Sequence, residues 1–151
     1  MRHQVSRTLA YTPAQLFALV GDVERYPDFV PWIASLRTWN RRRLGDGVDV
    51  LDAEAAVRFA IVRERFSTRV TRDANQGEIS VSLLHGPFRK LQNRWRFLDD
   101  PAGCRVEFEI DFLFKSGLLD KLLAANFHHA VDKLMNTFEA RAAKLYGPAA
   151  T

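Results

Sequence analysis

One cysteine, Cys104, is all that the 151-residue chain carries, so neither an internal disulfide nor a cysteine-based zinc cluster can form. Nothing therefore calls for an oxidising compartment. No stretch reaches the roughly 18 consecutive apolar residues of a membrane-spanning helix, and the start, MRHQVSRTLAY, lacks the apolar core of a secretory signal. A cytoplasmic location is expected. Walker loop, dinucleotide glycine pattern, His-x-x-x-His spacing and Ser-His-Asp order are all missing. No metal site, no cofactor and no catalytic residue is expected on this basis.

What the chain does have is phenylalanine, 11 copies against three Tyr and three Trp, most of them after residue 58 in strand-like contexts. Hydrophobic residues make up 47% and charged residues 26%, an ordinary globular balance. A chain of this length buries roughly 70% of its unfolded surface, enough for one domain spanning residues 1–151. Net charge is +4, but the basic residues are spread along the chain. Such a charge suits anionic surfaces such as phospholipid head groups or nucleic acid, or forms only a solvated basic face, and no DNA partner is expected.

Periodicity organises the rest. RHQVSRTLAY reads as a first strand. In TPAQLFALVG, Thr12 is an N-cap, Pro13 occupies the first helical position and Gln15 completes a capping box, with Gly21 as the stop. Asp22 is then expected to cap a second short turn that Pro27 ends, because a residue before proline avoids the helical region. From Ile33 the period becomes two. Turn signals at GDG, NQG, HGPF and PAG separate strands whose apolar positions include Glu64-Phe66-Thr68-Val70, Ile79-Val81-Leu83, Leu91-Asn93-Trp95-Phe97 and Val106-Phe108-Ile110-Phe112-Phe114. After Ser116 the pattern reverts to a helix of about thirty residues, roughly 45 Å long at 1.5 Å per residue. Its stripe is Leu119, Leu123, Phe127, Ala130, Val131, Leu134, Phe138 and Leu145, and Gly147-Pro148 stops it.

Consecutive strands with short turns are antiparallel, and strands charged on one face bury only the other. The expected architecture is α+β: a curved antiparallel sheet of about seven strands around a long C-terminal helix, with two short helices after strand 1. Such a sheet leaves either a ligand-holding cavity or a filled aromatic core, and the pattern is compatible with both.

The stretches TPAQLFALVGDVERYPDFVPW, ERFSTRVT, LLHGPFRKLQNRWRF, VEFEIDFLFKSGLL and FEARAAKLYG resemble, in order and spacing, the coenzyme Q-binding family of the START and polyketide-cyclase-like superfamily. Bacterial members of that family include the ribosome association toxins. The resemblance runs from about residue 3 to residue 147 and is most specific in Tyr26-Pro27-x-Phe29-x-Pro31-Trp32 and Gly86-Pro87-Phe88-x-x-Leu91-x-x-x-Trp95-x-Phe97. It implies a helix-grip fold, an internal hydrophobic tunnel, binding of ubiquinone or a related polyprenyl quinone in support of respiratory electron transport, and no catalytic residues. The missing mitochondrial presequence points to a bacterial protein. His85 stands before the Gly-Pro-Phe turn where an acidic or amide residue is expected.

A hydrophobic ligand needs apolar walls, aromatic faces and a few polar partners. The candidate cavity residues are Tyr26, Phe29, Trp32, Glu64, Phe66, Thr68, Val81, Trp95, Phe108, Ile110, Phe112, Phe127, Val131 and Leu134. Trp95, Thr68 and Asn93 are the expected hydrogen-bonding groups. Tyr26, Phe29 and Trp32 read as a lid whose directions Pro27 and Pro31 set, or as a structural plug. Glu64 is inward in register; it serves the site, or pairs with Arg63 or Arg65 at the rim. The four histidines read as solvated or capping, His128 and His129 pointing about 100° apart. Leu118 and Leu119 beside Lys115 and Lys121 form a portal for transient peripheral contact with the inner membrane face, or simply pack on the sheet.

Three functions follow as expectations: a non-enzymatic carrier or chaperone for a ubiquinone-like lipid; a toxin-like protein that binds the large ribosomal subunit and blocks subunit joining; and a polyketide cyclase or aromatase, which would need acid and base groups in the cavity.

Overall fold

The computed structural model describes residues 1–59 and 62–148. Seven strands, β1 (Arg2–Leu9), β2 (Ile33–Gly45), β3 (Val48–Phe59), β4 (Val62–Asp73), β5 (Glu78–His85), β6 (Phe88–Asp100) and β7 (Gly103–Phe114), form one antiparallel sheet in the order β1-β7-β6-β5-β4-β3-β2. Strands β2 to β7 are a meander, whereas β1 pairs with β7, Arg2 opposite Asp111 through Leu9 opposite Cys104. Consequently the segment between β1 and β2 must cross from one edge of the sheet to the other.

That crossing is made by α1 (Pro13–Gly21), a 3-10 turn (Val23–Arg25) and α2 (Tyr26–Phe29). The capping box forms as expected: Gln15 N–H donates to Thr12 Oγ1 at 3.1 Å and Thr12 N–H to Gln15 Oε1 at 3.0 Å. Two local expectations fail. Asp22 makes no side-chain cap, and Tyr26 is helical (φ −53°, ψ −41°), so Pro27 starts α2 instead of ending a turn. Tertiary contacts override the pre-proline preference: the Tyr26 hydroxyl donates to the Val20 carbonyl, and its ring packs edge-on against Phe29 and Phe138.

The expected single C-terminal helix is two, α3 (Gly117–Ala124) and α4 (Phe127–Tyr146), broken at Ala125 and Asn126. Their apolar stripes serve different clusters. Leu119 and Leu123 of α3 cover Leu91, Phe112 and Phe114, whereas Val131, Met135, Phe138 and Ala142 of α4 enter the main core with Trp95, Val106 and Phe108. One straight axis cannot point both stripes at their own part of a curved sheet. Leu145, placed in the stripe by spacing, is instead 49% exposed. The far end of α4 is tied to α1 through Tyr146 Oη to the Gln15 carbonyl and Tyr11 Oη to the Gly147 carbonyl, both 3.0 Å. Register shifts in the β2–β3, β4–β5 and β6–β7 pairings bend the sheet around α4.

Charge sits on the convex face and at the ends. Buried Asp52 accepts from Arg69 Nε at 2.9 Å and from Asn40 Nδ2 at 3.0 Å, and Asn40 adopts φ +57° at a β2 irregularity. At one end of the concave face Arg72 holds Asp49 (2.7 and 2.5 Å) and donates to the Gly21 carbonyl at 2.8 Å, pinning the end of α1 to the sheet. No helix among the described residues is long and apolar enough to cross a membrane.

Candidate functional site

Strands place alternate side chains on one face, so the inward sets of β3 to β7 form a continuous wall opposite α4. Between them lies a cavity of about 340 Å3, partly open to solvent. This falls at the small end of the roughly 300–1,000 Å3 found for ligand pockets.

Its wall contains all but one of the cavity candidates: Tyr26, Trp32, Glu64, Phe66, Thr68, Val81, Trp95, Phe108, Ile110, Phe112, Phe127, Val131 and Leu134. Phe29 is not among them. Its ring packs edge-on against Tyr26 and Phe138, with the Arg141 guanidinium 5.0 Å above it, so it braces Tyr26 from behind. Residues beyond the candidates complete the wall, notably Ala53, Ala55, Phe88, Leu91, Leu123 and Ala130. Leu91, Leu123 and Ala130 already stood in the apolar periodicities. The two alanines could not be found that way, since alanine in a strand carries no strong signal for what its small size leaves room for.

Aromatic packing sets the shape. Trp95 lies 4.4 Å from Phe108 and 5.2 Å from Phe138, ring centre to ring centre, and Phe112 lies 4.7 Å from Phe127. Tyr26 is a wall residue whose polar end is already used by Val20, and burial, followed by the Asp22 charge, pushes its pKa well above the usual phenol range.

The remaining polar lining is sparse: Glu64, Thr68, Asn93 and the indoles of Trp32 and Trp95. Glu64 does not pair with Arg63 or Arg65, because period two sends those side chains to the opposite face. There Arg65 reaches Glu54 at 3.1 Å. Among the described residues Glu64 has no ion-pair partner. Asn93 stands opposite Val81 on one side and Ile110 on the other, and its buried Oδ1 accepts no hydrogen bond.

The portal candidates separate. Leu119 packs into the small cluster with Phe112 and Phe114, while Leu118 is 69% exposed, and Lys115 and Lys121 are exposed near it. Leu122, which the sequence reading did not select, is 41% exposed on the same helix. The fold also brings two histidines together that sequence distance kept apart: the His3 ring meets His128 edge-on at 4.7 Å and Phe127 at 5.5 Å. His3, half-buried, packs against both rings, while His128 stays exposed to solvent as expected. Among the described residues no group of three or more His, Cys, Asp or Glu side chains could hold a metal ion. Cys104 is fully buried, and burial raises its thiol pKa to about 11.

Comparison with known proteins agrees with this architecture. The solution structure of an 18 kDa protein from Caulobacter crescentus superposes with a TM-score of 0.84 at 55% identity, covering 98% of this chain and 99% of that one. The ribosome association toxin RatA of Rickettsia prowazekii is 30% identical over 142 residues, 92% of this chain and 94% of that protein. The mitochondrial coenzyme Q-binding protein COQ10 homolog B of Xenopus laevis is 29% identical over 160 residues, 97% of this chain but 60% of its own length. Residues 9–139 match the model of the family described as polyketide cyclase / dehydrase and lipid transport. With that match spanning most of the described sheet and both ends of the cavity wall, the chain belongs to the polyketide cyclase / dehydrase and lipid transport family.

Proposed function

We propose that the protein is a non-enzymatic carrier or chaperone that holds the head and first part of the tail of a ubiquinone-like polyprenyl lipid between its sheet and α4. The observation that carries this reading is the 340 Å3 cavity walled by aromatic and aliphatic side chains. At about 25 cal/mol per Å2, burying some hundreds of Å2 of isoprenoid contributes on the order of 10 kcal/mol before ordering costs, so a strong polar anchor is not needed. A cavity of this size holds a ring and a short piece of chain, and a longer tail leaves through the opening. Exposed Leu118 and Leu122, with exposed Lys115 and Lys121 beside them in sequence, offer a basic, apolar surface for transient contact with an anionic bilayer during loading. A cyclase would need acid and base together in the wall, where Glu64 is the one carboxyl group among the described residues.

Organic extraction of the purified protein followed by mass spectrometry tests the carrier reading. A co-purifying prenyl quinone is expected, and its repeated absence, even from cells grown with quinone available, would overturn it.

A second reading, a protein that docks on the large ribosomal subunit and blocks subunit joining, draws on the full-length likeness to RatA and on exposed Arg37, Arg41, Arg42, Arg43, Arg63 and Arg65 along β2 and β4. Sucrose-gradient profiles during overexpression separate the two, because a carrier leaves the monosome peak unchanged.

A further inference from the structure

The polar atoms of the wall differ in what they ask of a ligand. Thr68 and the Trp95 indole N–H can donate, and the acceptor of a ligand meets them readily. Asn93 Oδ1 asks for the opposite. It is buried, it has no donor, and its strand neighbours in register are Val81 and Ile110, neither of which has a side-chain donor. Leaving such an acceptor unpaired is unfavourable, and a buried unpaired group in a native fold calls for a partner from outside the chain. Trp95 is the next inward residue on β6, about 7 Å along the strand, so donor and acceptor lie within the compass of one small head group. Glu64, which has no ion-pair partner among the described residues, adds a second acceptor to the same wall.

A quinone offers only acceptors. A hydroxyl both donates and accepts, so, unlike a quinone carbonyl, it can satisfy the indole N–H and the amide oxygen together.

Building on the lipid-binding reading, we propose that the cavity selects the hydroxyl-bearing, reduced form of its ligand, a prenyl quinol over the corresponding quinone, with Asn93 Oδ1 accepting the quinol O–H. Asn93 is then the residue that determines redox-state specificity. One such hydrogen bond, made where the alternative is an unpaired acceptor, corresponds to a preference of about tenfold, which is about 1.4 kcal/mol. By linkage a tenfold preference raises the two-electron midpoint potential of the bound couple by about 30 mV over the free couple.

Anaerobic equilibrium dialysis of the full chain tests this with three probes of equal short prenyl tail: the benzoquinol, the benzoquinone and the dimethyl ether of the quinol. Wild type is expected to bind the quinol about tenfold more tightly than the quinone, with the ether siding with the quinone. Asn93→Leu is close in size and removes the acceptor; it should bring the quinol-to-quinone ratio to about one by lowering quinol affinity. Equal binding of quinol and quinone by wild type, or a preference that survives Asn93→Leu, overturns the selectivity and leaves the carrier reading intact. No binding of any probe overturns both. If Asn93→Leu fails to fold, the ether and quinone comparison on wild type decides alone.

Discussion

Ala55 is a small residue in the wall, on β3 between Leu36 and Phe66 in register, and it separates a true cavity from a merely aromatic core. Replacing it by leucine adds three carbons. In a close-packed interior the added bulk forces neighbours off their rotamers and costs typically 1–3 kcal/mol. In a 340 Å3 cavity the same atoms move out of water against Phe66 and α4, gaining up to about 2.4 kcal/mol at about 0.8 kcal/mol for each carbon. For a chain of this length, about 2–4 °C per kcal/mol converts this to a rise in melting temperature of up to roughly 5–10 °C. Ligand binding should move the other way, falling as leucine takes up the space. Thermal unfolding by circular dichroism, paired with equilibrium dialysis of a short-tail quinone, reads both. A lowered melting temperature for Ala55→Leu would refute the cavity, whatever the binding data show.

Other consequences concern the frame and the surface. Hydrogen bonds from Arg69 and Arg72 hold the carboxyls of Asp52 and Asp49 below the usual carboxylate range, so the stability they contribute is complete above about pH 4 and is lost as pH falls through their depressed native values. Urea unfolding at pH 7 and pH 3 should show that loss, and Asp52→Asn should reduce it; an unchanged pH slope in the variant contradicts the assignment. Gly103 has φ +136° and a Cβ there would lie 2.4 Å from the Leu9 carbonyl oxygen, so Gly103→Ala should destabilise by more than about 1 kcal/mol in denaturant titration. Leu118→Glu with Leu122→Glu should slow quinone transfer between anionic vesicles while leaving the dialysis affinity unchanged, and an unaltered transfer rate removes α3 as the loading surface. The Cys104 thiol, buried and with its pKa raised to about 11, should react with a thiol reagent at pH 8 only on the timescale of unfolding.

Much of the architecture was legible before any coordinates, and for a definite reason. Period-two alternation is a local property, so charged residues opposite apolar ones on β4 to β7 announce which face is buried, and short turns leave antiparallel pairing as the only option. Thr12, Pro13 and Gln15 specify the start of α1 by hydrogen bonds within a single turn. The segment Tyr26 to Trp32 lines one end of the cavity, but alternation cannot separate its rings: both Tyr26 and Phe29 point toward Phe138, and of these two Tyr26 alone also reaches the cavity.

Tertiary structure decided what depends on two distant segments at once. The stripe from Leu119 to Phe138 is continuous at helical spacing and contains neither glycine nor proline, so nothing local marks the break at Ala125 and Asn126; the curvature of the sheet, which α3 and α4 cover in different places, makes it. Glu64 and Asn93 could be placed on the inner face from alternation alone. Whether they found partners could not, because a hydrogen bond there depends on which side chains five strands and one helix bring within about 3 Å. Local periodicity says which way a side chain faces, and only the closed fold says what it meets.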